Sequence, residues 1–282
     1  MSRYADRVAG SAMRRLLLNL YEAPSGDPTV GGMAELDATE LLAFLERANR
    51  RSAVKLTPTH VFVKILADSL RRYPELNVKV IGRRIYRLRN VDIRVAVNLF
   101  PQGDDSPEVS LVLVPDADQK SLTEIAHLCG ERAQWSRQMG GGGNLAGALL
   151  RLARYVPDII FDPAVRLGLR VATSGQLARW GIARDPMGSA CLTNVGSFGL
   201  PPGAIVSGAM GLLPRFGYAS LVMTTAIQQR AVVVDGEVKV RPMLPVALAV
   251  DHRALDGFRV FRYFRYWADM IAQPEQHLGG CL

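Results

Sequence analysis

Leu248-Ala-Val-Asp-His-Arg-Ala-Leu-Asp-Gly257 is the stretch from which the rest of the chain can be read. The small apolar run at 245–250 has the composition of a buried strand. That strand delivers His252 to its end. Asp256 and Gly257 then stand where the chain turns into a helix rich in aromatics, expected over 258–272. Histidine is the side chain best suited to moving a proton near neutral pH. A carboxylate one helical turn later can orient the ring or hold a nearby cation. The motif His-x-x-x-Asp-Gly is short, and a structural histidine at a strand end would satisfy it equally well.

Motifs elsewhere add to it. Val234-Asp-Gly-Glu-Val238 reads as a hairpin turn, and Leu192-Thr-Asn-Val-Gly-Ser-Phe-Gly199 as a strand running into a glycine turn. Leu56-Thr-Pro-Thr-His-Val-Phe-Val-Lys64 opens a helix to Arg72 with Pro58 in its first turn, and Tyr73-Pro-Glu-Leu-Asn77 leads into a strand. Asp116-Ala-Asp-Gln-Lys-Ser-Leu-Thr-Glu-Ile-Ala126 carries acidic charge just ahead of another helix. Spacing predicts further helices over 6–22, 38–51 and 121–138. Strands are expected at 29–37, 77–81, 85–88, 91–99, 108–114, 189–195, 204–206, 218–227, 231–234 and 237–250. Leu41, Leu42 and Leu45 are expected to face inward from helix 38–51. Phe258, Phe261, Phe264 and Trp267 are expected in the core, and the tail 276–282 exposed.

In their order and spacing these motifs resemble the catalytic domain of the dihydrolipoyl acyltransferases. Those are the core subunits of 2-oxoacid dehydrogenase complexes, similar in fold to chloramphenicol acetyltransferase. His252-Arg-Ala-Leu-Asp-Gly257 is similar to the family's His-Arg-x-x-Asp-Gly signature, and 192–199 to its Ser-Asn-Leu-Gly-x-x-Gly segment. The resemblance implies an α/β fold of the α+β two-layer sandwich kind, a mixed sheet flanked by helices, in a homotrimer that some relatives extend into cages. It implies one catalytic domain over 1–282, with a Gly-rich hinge at 140–143 and a basic helical insertion at 144–185. It implies His252 as general base and Thr193, in place of the family's serine, as oxyanion donor from the neighbouring subunit. Asn194, Gly196 and Gly199 would form the turn beside the coenzyme A arm, and Arg14, after Met13, would pair with Asp256. The loop 100–107 departs from the family's shorter turn. Complex-forming members carry a lipoyl domain ahead of this one. The expectation here is a chain without its own lipoyl attachment, acting on free acyl-CoA or on a lipoyl or acyl carrier domain of another chain.

Composition sets the remaining bounds. The 282 residues, 49% hydrophobic and 21% charged, suit a globular chain with ample length for a core. No run of eighteen apolar residues reads as a transmembrane helix, and the N-terminus lacks a signal pattern, which points to the cytoplasm. Cys129, Cys191 and Cys281 form neither a disulfide framework nor a zinc spacing, so no metal is expected. The net charge of +8 suits the phosphates of coenzyme A, an acidic carrier or an anionic membrane surface. No nucleic-acid motif accompanies it. Within 144–185, six arginines (Arg151, Arg154, Arg166, Arg170, Arg179, Arg184) suit packing on the domain or a neighbour, or membrane-surface contact. His60 reads as a capping or packing residue, His127 as a surface one and His277 as inert. A CoA-dependent acyltransferase is one functional reading. The alternative is a non-catalytic trimeric scaffold that keeps the fold.

Overall fold

The computed structural model describes residues 4–7, 28–81, 83–98, 109–138, 167, 188–196 and 219–282. In chain order these form β1 (Tyr4–Arg7), β2 (Thr29–Asp37), α1 (Thr39–Asn49), α2 (Pro58–Arg72), β3 (Val78–Ile81), β4 (Arg84–Leu88), β5 (Ile93–Asn98) and β6 (Val109–Val114). A 3-10 turn follows at Ala117–Gln119, then α3 (Leu122–Gln138), β7 (Ala190–Asn194), β8 (Ser220–Thr224), β9 (Gln228–Val234), β10 (Glu237–Asp251), α4 (Gly257–Ala272) and α5 (Pro274–Leu278). The main sheet has the order β2-β10-β8-β7-β5-β6, with β9 paired to β10, and β1-β4-β3 form a smaller sheet. Pairing is parallel for β5–β7 and β7–β8 and antiparallel elsewhere, so the main sheet is mixed, as expected.

β10 is the central element. Its residues from Met243 to Asp251 are all buried, because β2 covers one edge and β8 the other. Two hydrogen-bonded edges and two covered faces explain why this segment reads as a continuous apolar run rather than an alternating one. The β9–β10 hairpin turns on Asp235 and Gly236, both at positive φ (55° and 82°), the conformation a two-residue turn requires. The two faces of the sheet differ. Leu192, Val222, Leu248 and Val250 belong to the large core shared with α2 and α4. Cys191, Leu221, Met223, Ala247 and Ala249 form a separate apolar cluster on the outer face.

The helices clamp the inner face. α2 begins with Thr57 extended and Pro58 at its first position, and the Thr57 N–H donates to His60 Nδ1 at 3.3 Å. His60 is therefore a capping residue, as read from the sequence. Phe62 of α2 meets Trp267 of α4 edge-on at 5.5 Å, and Trp267 Nε1 donates to the buried Ser69 Oγ at 2.9 Å. This gives the indole the polar partner it needs inside a core.

Four expectations are corrected. Asp6 and Arg7 lie in β1, so a helix does not begin at residue 6; the rest of 6–22 lies outside the described residues. In α1 the inward set is Leu41, Phe44, Leu45 and Ala48, while Leu42 is exposed. The buried stripe of α4 is Val260, Tyr263, Trp267, Met270 and Ile271, which leaves Phe258 and Phe261 at 72% and 71% exposure. Finally, the tail is not exposed throughout: α5 and a 3-10 turn fold it back, Leu278 is fully buried, and His277 lies 3.1 Å from the Asp269 carboxylate, while Gln276 and Gly280 are exposed. Leu282 is exposed. No helix among the described residues is long and apolar enough to cross a membrane.

Burial lowers His60 from its ordinary 6.5 to about 4. Between those values the unfolded chain binds a proton that the folded one refuses, so stability falls as pH drops through that window. Unfolding free energies from urea titrations at pH 7 and pH 4.5 are expected to differ less in His60→Gln than in the parent, by on the order of 2 kcal/mol. Identical acid sensitivity would contradict this.

Candidate active site

His252 follows the last residue of β10, and four contacts fix the turn that carries it. Its N–H donates to Pro28 O at 2.8 Å, tying the turn to the start of β2. The Asp251 carbonyl accepts from the N–H groups of Ala254 and Leu255, both at 2.9 Å. The side chains on either side of the histidine bond to each other. Asp251 Oδ1 accepts from the Arg253 backbone N–H and from its Nε, each at 3.0 Å, and Oδ2 accepts from a terminal guanidinium nitrogen at 2.7 Å. Both side chains are buried. The pair holds the histidine between two residues that cannot rotate independently.

The ring itself is half-buried, and its Nδ1 lies 2.9 Å from the carbonyl of Leu255. A carbonyl only accepts, so Nδ1 carries the hydrogen in the neutral ring, and the lone pair is on Nε2. That is the tautomer a general base needs. Asp256 caps α4 through its backbone, its carbonyl accepting from Arg259 and Val260 at 3.0 and 3.1 Å. Its carboxylate makes no cap hydrogen bond. The expected partner, Arg14, lies outside the described residues.

Thr193 and Asn194 are adjacent on β7 and face opposite ways. Thr193 alternates with Cys191 and Val195, both in or against the outer cluster, whereas Asn194 reaches inward to α2. Asn194 Nδ2 donates to Thr59 Oγ1 at 2.7 Å and its Oδ1 accepts from the Gly196 N–H at 2.8 Å. Its polar atoms thus shape the turn. Glycine is required at 196 because a Cβ there would lie 2.5 Å from Ala226 N. Gly199 lies outside the described residues, as do the 100–107 loop and, apart from Leu167, the 144–185 insertion. Cys191, near Thr193, is no alternative nucleophile: burial pushes its thiol up to about 11. Among the described residues no group of His, Cys, Asp and Glu side chains could hold a metal ion.

The sheet register separates the two principal residues. Thr193 is level with Met223, which is level with Ala247 on β10. His252 lies five residues further along that strand. At standard spacings this is about 17 Å along the strands and about 10 Å across them. A base on the attacking nucleophile and a donor on the carbonyl oxygen must each lie within about 3 Å of their own atom, and those atoms meet at one reacting carbon. One copy of the chain does not bring these two together.

Residues 4–139 and 184–279 match the model of the 2-oxoacid dehydrogenases acyltransferase family, catalytic domain. The chain belongs to this family. The match breaks off between 139 and 184, a gap that contains the four-glycine run and nearly all of the insertion. A curated relative from Bartonella vinsonii, the dihydrolipoyllysine-residue succinyltransferase component of the 2-oxoglutarate dehydrogenase complex, is 26% identical over 276 residues. That alignment covers 96% of this chain and 54% of the relative, so the chain spans about half the length of the curated relatives it matches. Among solved structures, a probable dihydrolipoamide acetyltransferase from Listeria monocytogenes aligns over 95% of both chains with a TM-score of 0.63 and 20% identity. A chloramphenicol acetyltransferase aligns over 96% of this chain and all of its own, with a TM-score of 0.53 and 12% identity. These two likenesses establish the fold expected from the sequence motifs.

The Asp251–Arg253 pair was not singled out from the sequence, although charged residues directly after an apolar strand were a usable signal. Arg253→Ala leaves a buried carboxylate without its counter-ion and is expected to cost about 3–5 kcal/mol in chemical denaturation. The double change Asp251→Asn with Arg253→Met should recover part of that loss. A neutral single variant would show that the pair does not hold the turn.

Proposed function

We propose that this chain is an acyltransferase core that moves an acyl group between coenzyme A and a thiol, hydroxyl or amine acceptor, with His252 as general base. The observation that carries the reading is the bond between His252 Nδ1–H and the Leu255 carbonyl, which leaves Nε2 as the basic atom. Nε2 takes the proton of the incoming nucleophile, which attacks the thioester carbonyl. The resulting tetrahedral oxyanion accepts a hydrogen bond from the Thr193 hydroxyl. On collapse, the carbon–sulfur bond breaks and the imidazolium returns its proton to the departing thiolate. No covalent intermediate on the protein is needed. Asp256 and, through it, Arg14 would act as positioning residues, and the turn of Asn194, Gly196 and Gly199 would support the strand end beside the coenzyme arm.

The register supports a shared site. Since His252 and Thr193 stand at opposite ends of the sheet, a working site takes one from each of two copies. The exposed apolar surface is distributed to suit that. Phe258 and Phe261 lie just past His252, while Val233, Val238 and Val240 lie exposed on the β9–β10 hairpin at the far end of β10. Two unlike patches at opposite ends favour a head-to-tail contact, and such contacts close into rings. A homotrimer of a single catalytic domain is the reading adopted here, with larger cages as a further step. The curated relative from Bartonella vinsonii is named as a dihydrolipoyllysine-residue succinyltransferase. The proposed acceptor for this chain is accordingly a thiol on a flexible arm, carried by another chain.

Purified protein supplied with acyl-CoA and dihydrolipoamide should release free coenzyme A. His252→Ala should lower kcat/KM by about 10²–10⁴ and Thr193→Val by about 10²–10³, with the oligomer intact. Co-refolding the two variants in equal amounts should restore about a quarter of wild-type sites, because a hybrid contact unites the good histidine with the good threonine. Wild-type turnover in His252→Ala would dismiss the mechanism. No turnover by the parent would leave the fold as a trimeric scaffold.

A further inference from the structure

A cavity of about 190 Å³ opens on the inner side of the sheet, where β7 and β8 end against the start of α2. Its wall is formed by Pro58, Asn194, Gly196, Thr224, Thr225, Ala226, Ile227 and Leu244, none of them charged. Thr224 is 3% exposed, and its hydroxyl has no hydrogen-bond partner among the described residues. Buried hydroxyls are rarely left unmet, since each carries the full loss of its hydration. Asn194 bonds to Thr59 and to the Gly196 N–H, and the Thr225 hydroxyl lies 3.5 Å from the Ala226 carbonyl. Pro58 is the first residue of α2, a helix of 15 residues whose N-terminal end carries partial positive charge. Ile227, Leu244 and Ala226 supply apolar surface to the same wall.

We propose that this cavity binds a short-chain carboxylate anion. The carboxylate would accept from the Thr224 hydroxyl at the positive end of α2, and the aliphatic tail would lie on Ile227 and Leu244. A cavity of about 150 Å³ admits benzene, so this one limits the ligand to roughly three to six carbons. The site lies on the opposite face of β7 from Thr193, and its wall shares Asn194 and Gly196 with the turn proposed above to lie beside the coenzyme arm.

Titration calorimetry on the whole chain at fixed ionic strength, with butyrate, butyramide and octanoate as probes, tests the assignment. Butyrate is expected to bind saturably in the millimolar range, butyramide at least about tenfold more weakly, and octanoate hardly at all. Thr224→Val, close to isosteric, should weaken butyrate at least about tenfold. Ile227→Phe, which fills the cavity, should do the same should the valine variant fold poorly. Equal binding of butyrate and butyramide, unchanged affinity in a folded Thr224→Val, or no saturable binding to the parent would each overturn the site. The last result would assign the hydroxyl to a bound water.

Discussion

The arrangement at the end of β10 depends on one buried ion pair. Asp251 and Arg253 are both removed from water, and each would be costly there without the other. Their bonds run between residues on either side of His252, so the pair acts less as a source of stability than as a clamp on local geometry. Two backbone bonds to the Asp251 carbonyl and one from His252 to Pro28 complete the constraint. The ring can then meet the Leu255 carbonyl, and the tautomer follows from the fact that a carbonyl cannot donate. The chain of causes runs from a charged dipeptide pattern, to a rigid turn, to the protonation state of one nitrogen.

The direction of the strands supplies the second constraint. β10 runs antiparallel to β8, and β8 parallel to β7, so the ends of β10 and β7 point to opposite edges of the sheet. No side-chain rotation can span a separation set by five residues of strand and two inter-strand spacings. If the two proposed groups act together, a second copy of the chain has to supply one of them, and that requirement follows from strand direction rather than from side-chain choice.

Much of this was legible in the sequence, and the failures have physical causes. The run at 245–250 declared itself as a central strand because both its edges and both its faces are covered. Pro58, the Asp235-Gly236 turn and His60 were legible because caps and turns need specific backbone chemistry. Phe258 and Phe261 were misplaced because α4 is apolar on more than one side, and periodicity cannot say which apolar side meets the sheet. Leu42 was misplaced for the same reason, and Phe44 and Ala48 complete the buried side instead. The resemblance assigned Thr193 and Asn194 separate roles without saying where each side chain points, and the two-residue period of the strand sends them to opposite faces. Asp251–Arg253 went unread because a salt bridge depends on where two side chains bend, which a linear pattern does not show.

α4 joins these levels. Its stripe of Val260, Tyr263, Trp267, Met270 and Ile271 packs into the main core and anchors the first turn, where Asp256 caps the helix by backbone alone. The opposite side of the same helix presents Phe258 and Phe261 to solvent, with the Arg262 guanidinium lying 5.1 Å over the Phe258 ring. Aromatic and arginine side chains left exposed in this way are the usual anchors of protein contacts. One helix thus fixes the histidine turn from the inside and offers a contact surface on the outside. Any partner that settles on that surface does so within two helical turns of the proposed base.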